Sequence, residues 1–334
     1  MRALVTGASG FLGRQIVRQL LAEGHQVRAV CRSAVADLAS LGAEAVRADL
    51  RDRGAAAAAC RAIDVVFHTA GVAGLWGPWR RYYEANTLAT RHVVAGCLEH
   101  GVGRLVFTSS PSVTFDGFDQ KGVDESAPYP CRWLCHYPHT KALAEQHVLA
   151  GNGTGGLLTC ALRPHLIWGP GDRHLVPGLI ERRRANRLWR VGDGTNRVDM
   201  VYIDNAAEAH LLAAQALVPG SPAAGRAYFI SQGEPVNCWD WIDEILALVG
   251  LPPTPKRMSV RTARWIGALM EGLWWLVPGD GDPPMTRFLA AQLSTSHFFD
   301  ISRARRDLGY TPRVSTAEGM RRLAADLAPL RCGR

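Results

Sequence analysis

The chain has 334 residues, 47% of them hydrophobic and 20% charged, with a formal net charge of +8. That balance suits a globular fold with a sizeable core, in one large or two interlocked domains. The positive charge fits an anionic substrate and cofactor or an anionic membrane surface; nucleic acid is excluded, because the basic residues are scattered apart from 181–190 and 255–264 and no zinc-finger or RNA-binding signature occurs.

The opening MRALVTGASGFLG breaks its short apolar run with glycines, which argues against a secretory signal. ALVTG reads as the first strand, 12–24 as a helix and QVRAVC as the second strand. AEAVRAD, DVVFHTA and RLVFTSS supply three more, with a helical stretch YYEANTLATRHVVAGCLEHG before the last; KALAEQHVLAGN is a further helix and LTCALRPHLIWG a further strand. Strand and helix alternating with short connections predict an α/β fold, a doubly wound parallel sheet of the Rossmann kind.

After WGPGD the rhythm changes. Residues 171–197 and 233–297 are richer in Pro, Trp and Arg and surround two returning strands, VDMVYID and AYFISQ. The expected organisation is a dinucleotide-binding domain over 1–170 with returning strands near 198–232, and a smaller interleaved substrate-binding portion formed by 171–197 and 233–330. The longest apolar stretch, 265–279, contains Glu271 and falls short of the ~20 residues that cross a bilayer, so it is expected as a lid, packed core or an interfacial helix. The eight cysteines show no framework spacing, and Cys131 with Cys135 lacks a second ligand pair. Reduced thiols in a cytoplasmic protein without a metal site are expected.

VTGASGFLG places Gly7, Gly10 and Gly13 between the first strand and first helix, where a dinucleotide pyrophosphate rests on a helix N-terminus. The spacing is G-x-x-G-x-x-G rather than G-x-G-x-x-G, and a turn without a ligand is the competing reading. The second strand ends in Cys31 and Arg32 instead of the acid that binds a ribose 2′-hydroxyl; a cation there favours NADP(H), with NAD(H) as the alternative and a surface arginine as the bland one. Asp49 and Leu50, closing the third strand, are placed to meet the adenine, and Ala70 and Gly71 to line the cofactor.

Tyr137 and Lys141 lie four apart on one helical face. A free phenol has a pKa of ~10 and is too weak a base for an alcohol at neutral pH. A nearby ammonium and an oxidised nicotinamide favour the phenolate, so the pair suits acid/base work. A surface tyrosine beside a lysine is the alternative. Ser110, in FTSSPSV at a strand end, is expected to donate to a substrate oxygen beside that phenol, with Asn86 positioning backbone or water. Pro138 places Tyr137 at or just before the helix start.

Through TGASGFLG, FTSSPSV, YPHTK and DISRARRDLGYTP the chain resembles the extended short-chain dehydrogenase/reductase superfamily, and through SSPSVTFDGFDQKGVDESAPYP and LRPHLIWGPGDRHLVPGLIE its 3β-hydroxysteroid dehydrogenase branch. The resemblance implies an NAD(P)-dependent oxidoreductase interconverting a 3-hydroxy and a 3-oxo group on a large apolar lipid or sterol substrate with an adjacent carboxylate-bearing carbon. The sterol-4-carboxylate 3-dehydrogenase and 2-alkyl-3-oxoalkanoate reductase types both fit. It implies Tyr137 as acid/base, Lys141 lowering its pKa and binding the nicotinamide ribose, and Ser110 polarising the substrate oxygen. Phe11, Leu12 and Pro164 are expected to join the glycines, Arg32, Asp49, Leu50, Ala70, Gly71 and Asn86 around the cofactor. Val72 stands where olefin-pathway relatives often carry lysine. His165, Arg173, His174 and the basic run 182–187 are candidates for the carboxylate. A homodimer is implied, with peripheral membrane contact as one reading of 265–279; a nucleotide-sugar epimerase or dehydratase and a non-catalytic dinucleotide-binding protein are the competing functions.

Overall fold

The short apolar runs of the first half are bounded by glycine or polar turns, and all but the edge run Glu44–Arg47 are largely buried, which is the setting of a parallel strand. In the computed structural model, which describes residues 1–33, 35–276 and 282–331, these runs are β1 (Arg2–Thr6), β2 (Gln26–Cys31), β3 (Glu44–Arg47), β4 (Val65–His68) and β5 (Arg104–Thr108). β6 (Leu158–Pro164) and β7 (Arg226–Ile230) complete a seven-stranded sheet in the order β7-β6-β5-β4-β1-β2-β3, with every pairing parallel.

The strand period of two sends alternate side chains to two cores. Ala3 and Val5 of β1 pack with Ile16, Val17 and Leu20 of the helix Phe11–Ala22, and with the helix Ile203–Ala216. Leu4 packs on the other face with Ala56, Val93 and Val148, from the helices Arg53–Cys60, Ala89–Glu99 and His136–Ala150. The result is the doubly wound α/β fold that the alternation predicts. Chain order turns back between β1 and β4, so a crevice opens beyond their carboxyl ends.

Three elements differ from the sequence reading. The stretch 82–101 is not one regular helix: a π-helical turn, Tyr83–Leu88, separates the short helix Trp79–Tyr82 from Ala89–Glu99. LTCALRPHLIWG is broken at Leu166, whose φ of 42° ends β6 and starts the two-residue strand Ile167–Trp168. VDMVYID is likewise divided. Arg197–Val198 joins a small sheet with Val236–Asn237, His297–Phe299 and Gln120–Val123, whereas Val201–Tyr202 pairs with Ile167–Trp168, and a helix starts at Ile203. The buried Asp199 makes the corner, its carboxylate accepting from Ser231 Oγ (2.7 Å) and the Gly233 amide (3.0 Å).

The Trp-rich segment is the helix Val260–Leu276; residues 277–279 lie outside the described ones. Its buried stripe is Ala263, Gly267 and Glu271, and the Glu271 carboxylate accepts from the Arg287 amide (2.7 Å) and Nε (2.6 Å). Among the described residues no helix is long and apolar enough to cross a membrane.

Candidate active site

The glycine loop is fixed by contacts that no side chain fits. Gly7 has a φ of 65°, where an L residue is strained, and a Cβ on it would lie 2.8 Å from the Ala70 backbone. A Cβ on Gly13 would strike the Gly7 carbonyl and lie 2.9 Å from Thr69 Oγ1, so helix, loop and the end of β4 close on one another only with glycine. Gly10 caps the helix Phe11–Ala22 without a side-chain hydrogen bond, and no acid occupies its first turn. Its N-terminal amides point to anion binding, and the glycine cradle beside them fits a dinucleotide pyrophosphate.

A cavity of about 280 Å³ runs from this loop over the ends of β1, β2 and β3. Gly7, Gly10, Arg32, Asp49, Leu50, Ala70 and Gly71 all line it, together with Arg51 and Val72. Asp49 is clamped by Arg51, whose amide, Nε and Nη2 all donate to its carboxylate (3.0, 3.0 and 2.6 Å) and hold that carboxyl below the usual range. Arg32 is exposed just past β2 and has no ion pair among the described residues.

A second cavity, of about 440 Å³, shares Gly7, Gly10 and Thr69 with the first and is the candidate reaction chamber. Phe11, Leu12, Gly13, Ser110, Tyr137 and Pro164 line it. Ser110 opens the 3-10 turn Pro111–Thr114, its hydroxyl lies 2.8 Å from Ser112 Oγ, and it is near enough to the Tyr137 phenol to pull that group's pKa down. Tyr137 is the second residue of the helix His136–Ala150, inside the first turn rather than ahead of it. The conformational bias from Pro138 yields to packing: His139 stacks on Trp133 (centroids 5.0 Å) and meets Trp79 (4.9 Å), which anchors the helix start.

Lys141 and Asn86 sit behind the chamber wall. Lys141 Nζ donates to the Thr108 carbonyl (2.5 Å) and lies over the Phe107 ring (4.0 Å). Asn86, fully buried in the π-helical turn, accepts from the Val72 amide (2.7 Å) and donates to the Val72 carbonyl (3.1 Å) and Thr140 Oγ1 (3.1 Å). It therefore splints the 70–72 loop to the helix carrying Tyr137, a use of the irregular turn that its local geometry makes available.

Burial dominates the protonation of this group. It pushes the Tyr137 phenol above its ordinary value, against the Ser110 hydrogen bond that pulls it down, and it lowers Lys141 to about 7, against the attraction of Glu145. Of the side chains around Tyr137, the Ser110 hydroxyl pulls the phenol toward its ionised form.

The description of a known family, the 3-beta hydroxysteroid dehydrogenase/isomerase family, matches residues 4–260. The chain belongs to that family. It is 50% identical over 98% of its length to the whole of a 2-alkyl-3-oxoalkanoate reductase from Stenotrophomonas maltophilia (strain K279a). It is 37% identical over 96% of its length to 88% of a 3 beta-hydroxysteroid dehydrogenase/Delta 5-->4-isomerase from Mycobacterium tuberculosis (strain ATCC 25618 / H37Rv). Among solved structures, MoeE5 in complex with UDP-glucose and NAD aligns with a TM-score of 0.75 at 28% identity, covering 98% of this chain and 99% of that one. This member of the 3-beta hydroxysteroid dehydrogenase/isomerase family is an NAD(P)-dependent dehydrogenase/reductase acting on a 3-hydroxy or 3-oxo group of a small-molecule substrate.

The structure separates the carboxylate candidates of this dehydrogenase/reductase. His165 and His174 line the reaction chamber. Arg173 turns instead to a cavity beside the glycine loop, with Arg14 and Arg18. Arg183 donates to the Pro252 carbonyl (3.0 Å) and Arg184 to that of Leu330 (3.3 Å), while Arg182 lines a fourth cavity. That cavity, of about 250 Å³, is walled by Leu179, Met200, Trp241, Ile242 and Leu293 and shares Leu166, His174, Leu175, Gln292 and His297 with the chamber. Ser109, Ser112, Gln292 and His297 also line the chamber or its junction and were not singled out in the sequence. The three serines of SSPS were a legible signal for the first two; nothing local marks Gln292 and His297, which a crossing from 130 residues away brings in.

Proposed function

We propose that this enzyme reduces the 3-oxo group of a 2-alkyl-3-oxoalkanoate, with NADP(H) preferred. The observation that carries the reading is the continuity of the reaction chamber with the apolar cavity, which gives a hydrocarbon chain a place beside Ser110 and Tyr137. The likeness to the Stenotrophomonas reductase supports this substrate over a 4-carboxysterol. Arg32 at the end of β2, where an acid would repel a 2′-phosphate, supports NADP(H).

The residues along the two cavities would hold a nicotinamide dinucleotide, which when bound would supply the hydride for carbon 3. Gly7, Gly10, Phe11, Leu12 and Gly13 would hold its pyrophosphate, Arg32, Asp49 and Leu50 the adenosine end, and Ala70, Gly71, Asn86, Pro164 and Lys141 the nicotinamide end. Ser110 donates to the substrate oxygen, and Tyr137 delivers the proton to it. Burial raises the Tyr137 phenol above its ordinary value, so it is protonated and able to donate at neutral pH, as a reduction requires.

In this reading residues 1–170, with the strands returning near 198–232, bind the dinucleotide, and 171–197 with 233–330 shape the substrate site. Family resemblance supports a homodimer. The exposed Trp265, Leu269, Leu273, Trp275 and Leu276, near Arg261 and Arg264, support peripheral contact with an anionic membrane. The deciding experiment is a pair of assays with NADPH and NADH: reduction of a 2-alkyl-3-oxo fatty acid and oxidation of a 4-carboxysterol. Reduction with NADPH is expected. Turnover of the sterol alone, or of a nucleotide sugar with tightly copurifying NAD, overturns the assignment.

A further inference from the structure

His165 and His297 meet edge to face inside the reaction chamber, with centroids 4.8 Å apart, planes at 89° and 3.0 Å between His165 Nε2 and His297 Nδ1. The outer nitrogens both face carbonyls: His165 Nδ1 the Asp199 carbonyl, and His297 Nε2 the Gln292 carbonyl (2.9 Å). A carbonyl only accepts, so each outer nitrogen must carry a hydrogen, and the central contact needs a third. Two neutral imidazoles hold two. The three contacts are satisfied together only when the pair binds one extra proton, shared between the rings.

Among the described residues, each carboxylate near the pair is engaged elsewhere, and Asp119 alone attracts a proton on His297 from a distance. Asp199 directs its carboxylate to Ser231 and the Gly233 amide, Asp119 to Lys121 (2.7 Å) and the Ser296 amide (2.9 Å), and Asp172 to the amides of His174, Leu175 and Val176 (2.8, 3.2 and 2.8 Å). The other titratable groups around the pair are Tyr137 and His174 in the chamber and Arg182 in the adjoining cavity, none of them an anion at neutral pH. Phe115 and Phe299 close the remaining sides. Burial among them pushes both imidazoles below their ordinary range, so the extra proton is held only when an anion arrives.

We propose that His165 and His297 are a one-proton cationic pair that receives the carboxylate of the substrate, taking up a proton as that carboxylate enters the chamber. This rests on the substrate class assigned above. The pair sits where the chamber meets the apolar cavity, so a carboxylate beside it places the 3-oxygen toward Ser110 and Tyr137 and the alkyl chain in the cavity. All four ring nitrogens are already engaged, so the pair acts by charge; Gln292, which lines both cavities, carries the amide nearest in sequence that can donate directly.

NADPH with a 2-alkyl-3-hydroxy acid forms an unreactive ternary complex, because neither can give hydride to the other. Calorimetry of that complex at pH 8, in buffers of different ionisation enthalpy, is expected to show uptake of close to one proton per site for the acid and none for its methyl ester. The ¹⁵N signals of the two imidazoles should move to the imidazolium range with the acid only. In His297→Gln the ratio of kcat/KM for 3-oxo acid over 3-oxo ester should fall about tenfold, while the wild-type measurements stand whether or not that variant folds. Equal proton uptake for acid and ester, or none for either while the acid is reduced, overturns the pair's role. Failure to bind or reduce acid and ester alike instead overturns the substrate assignment.

Discussion

The two halves of the molecule hold their shape by different means. In the nucleotide half, strands of four to seven residues form a continuous parallel ladder, and the loop at its switch point leaves no room for a Cβ at Gly7 or Gly13. In the proposed substrate half, strands such as Arg190–Val191 and Val236–Asn237 are two residues long and belong to separate sheets, and the helix Val260–Leu276 buries only small residues and a glutamate while Trp265 and Trp275 stay 78% and 77% exposed. Backbone geometry specifies the first region, and individual side chains the second. A cofactor shared by many enzymes needs a fixed cradle; a substrate particular to one needs walls that vary.

The comparison breaks most sharply where the halves meet. Tyr137→Phe keeps the ring, the helix and the cavity proposed for the cofactor but removes the proposed proton donor, so kcat should fall about 10³-fold or more while the cofactor Kd stays within about threefold. Steady-state rates and cofactor titration check both. Normal turnover in that variant would end the acid/base assignment.

The next largest effect concerns how that tyrosine is held. Two turns along the same helix, Glu145 is fully buried and accepts from Arg163 of β6 (2.6 and 3.0 Å) and from the Tyr129 hydroxyl (2.7 Å). Removing one partner strands the other charge in the core. Glu145→Ala should therefore destabilise the protein by about 3 kcal/mol in denaturant unfolding. A loss below about 1 kcal/mol would show the helix to be fixed by the aromatic contacts at its start instead.

A smaller, pH-dependent effect belongs to Lys141. Burial lowers it to about 7 in the folded protein, against 10.5 for an exposed lysine. Between those values the unfolded chain binds more protons than the folded one, so this group's contribution makes stability rise with pH, and below about pH 7 its burial as a cation weakens the fold. Lys141→Met in the cofactor-free protein should be more stable than the wild type at pH 6, by a margin that shrinks toward pH 10 in thermal melts.

The nucleotide half was legible in the sequence because its signals are local. Three spaced glycines, β-branched runs and the Tyr137/Lys141 spacing each depend on neighbours along the chain, and the sheet followed from their alternation. The breaks at Leu166 and Asp199 were not legible, since they depend on which distant strand each two-residue piece joins. The same holds for His165: it stood out as a polar residue after a strand, but its partner His297 lies 132 residues away and only the small sheet brings it near. Burial also changed the chemistry of residues the sequence had singled out. The spacing of Tyr137 and Lys141 is visible, yet the shift of both toward their neutral forms comes from desolvation, which no spacing encodes.

The smallest effect on the fold is expected at the most conspicuous residues. Trp265 and Trp275 are exposed, so replacing both with serine should change unfolding stability by less than about 0.5 kcal/mol. Their helix packs against Arg287–Ser294, which supplies Phe288 and Gln292 to the chamber. If the apolar face rests on a membrane, the double variant should bind anionic vesicles about tenfold more weakly, with the wild type losing affinity as salt screens Arg261 and Arg264. Rates on a short-chain substrate free in solution should be unaffected. Undiminished vesicle binding would assign those tryptophans to another contact and leave the substrate half, unlike the nucleotide half, with its most exposed feature unexplained by lipid.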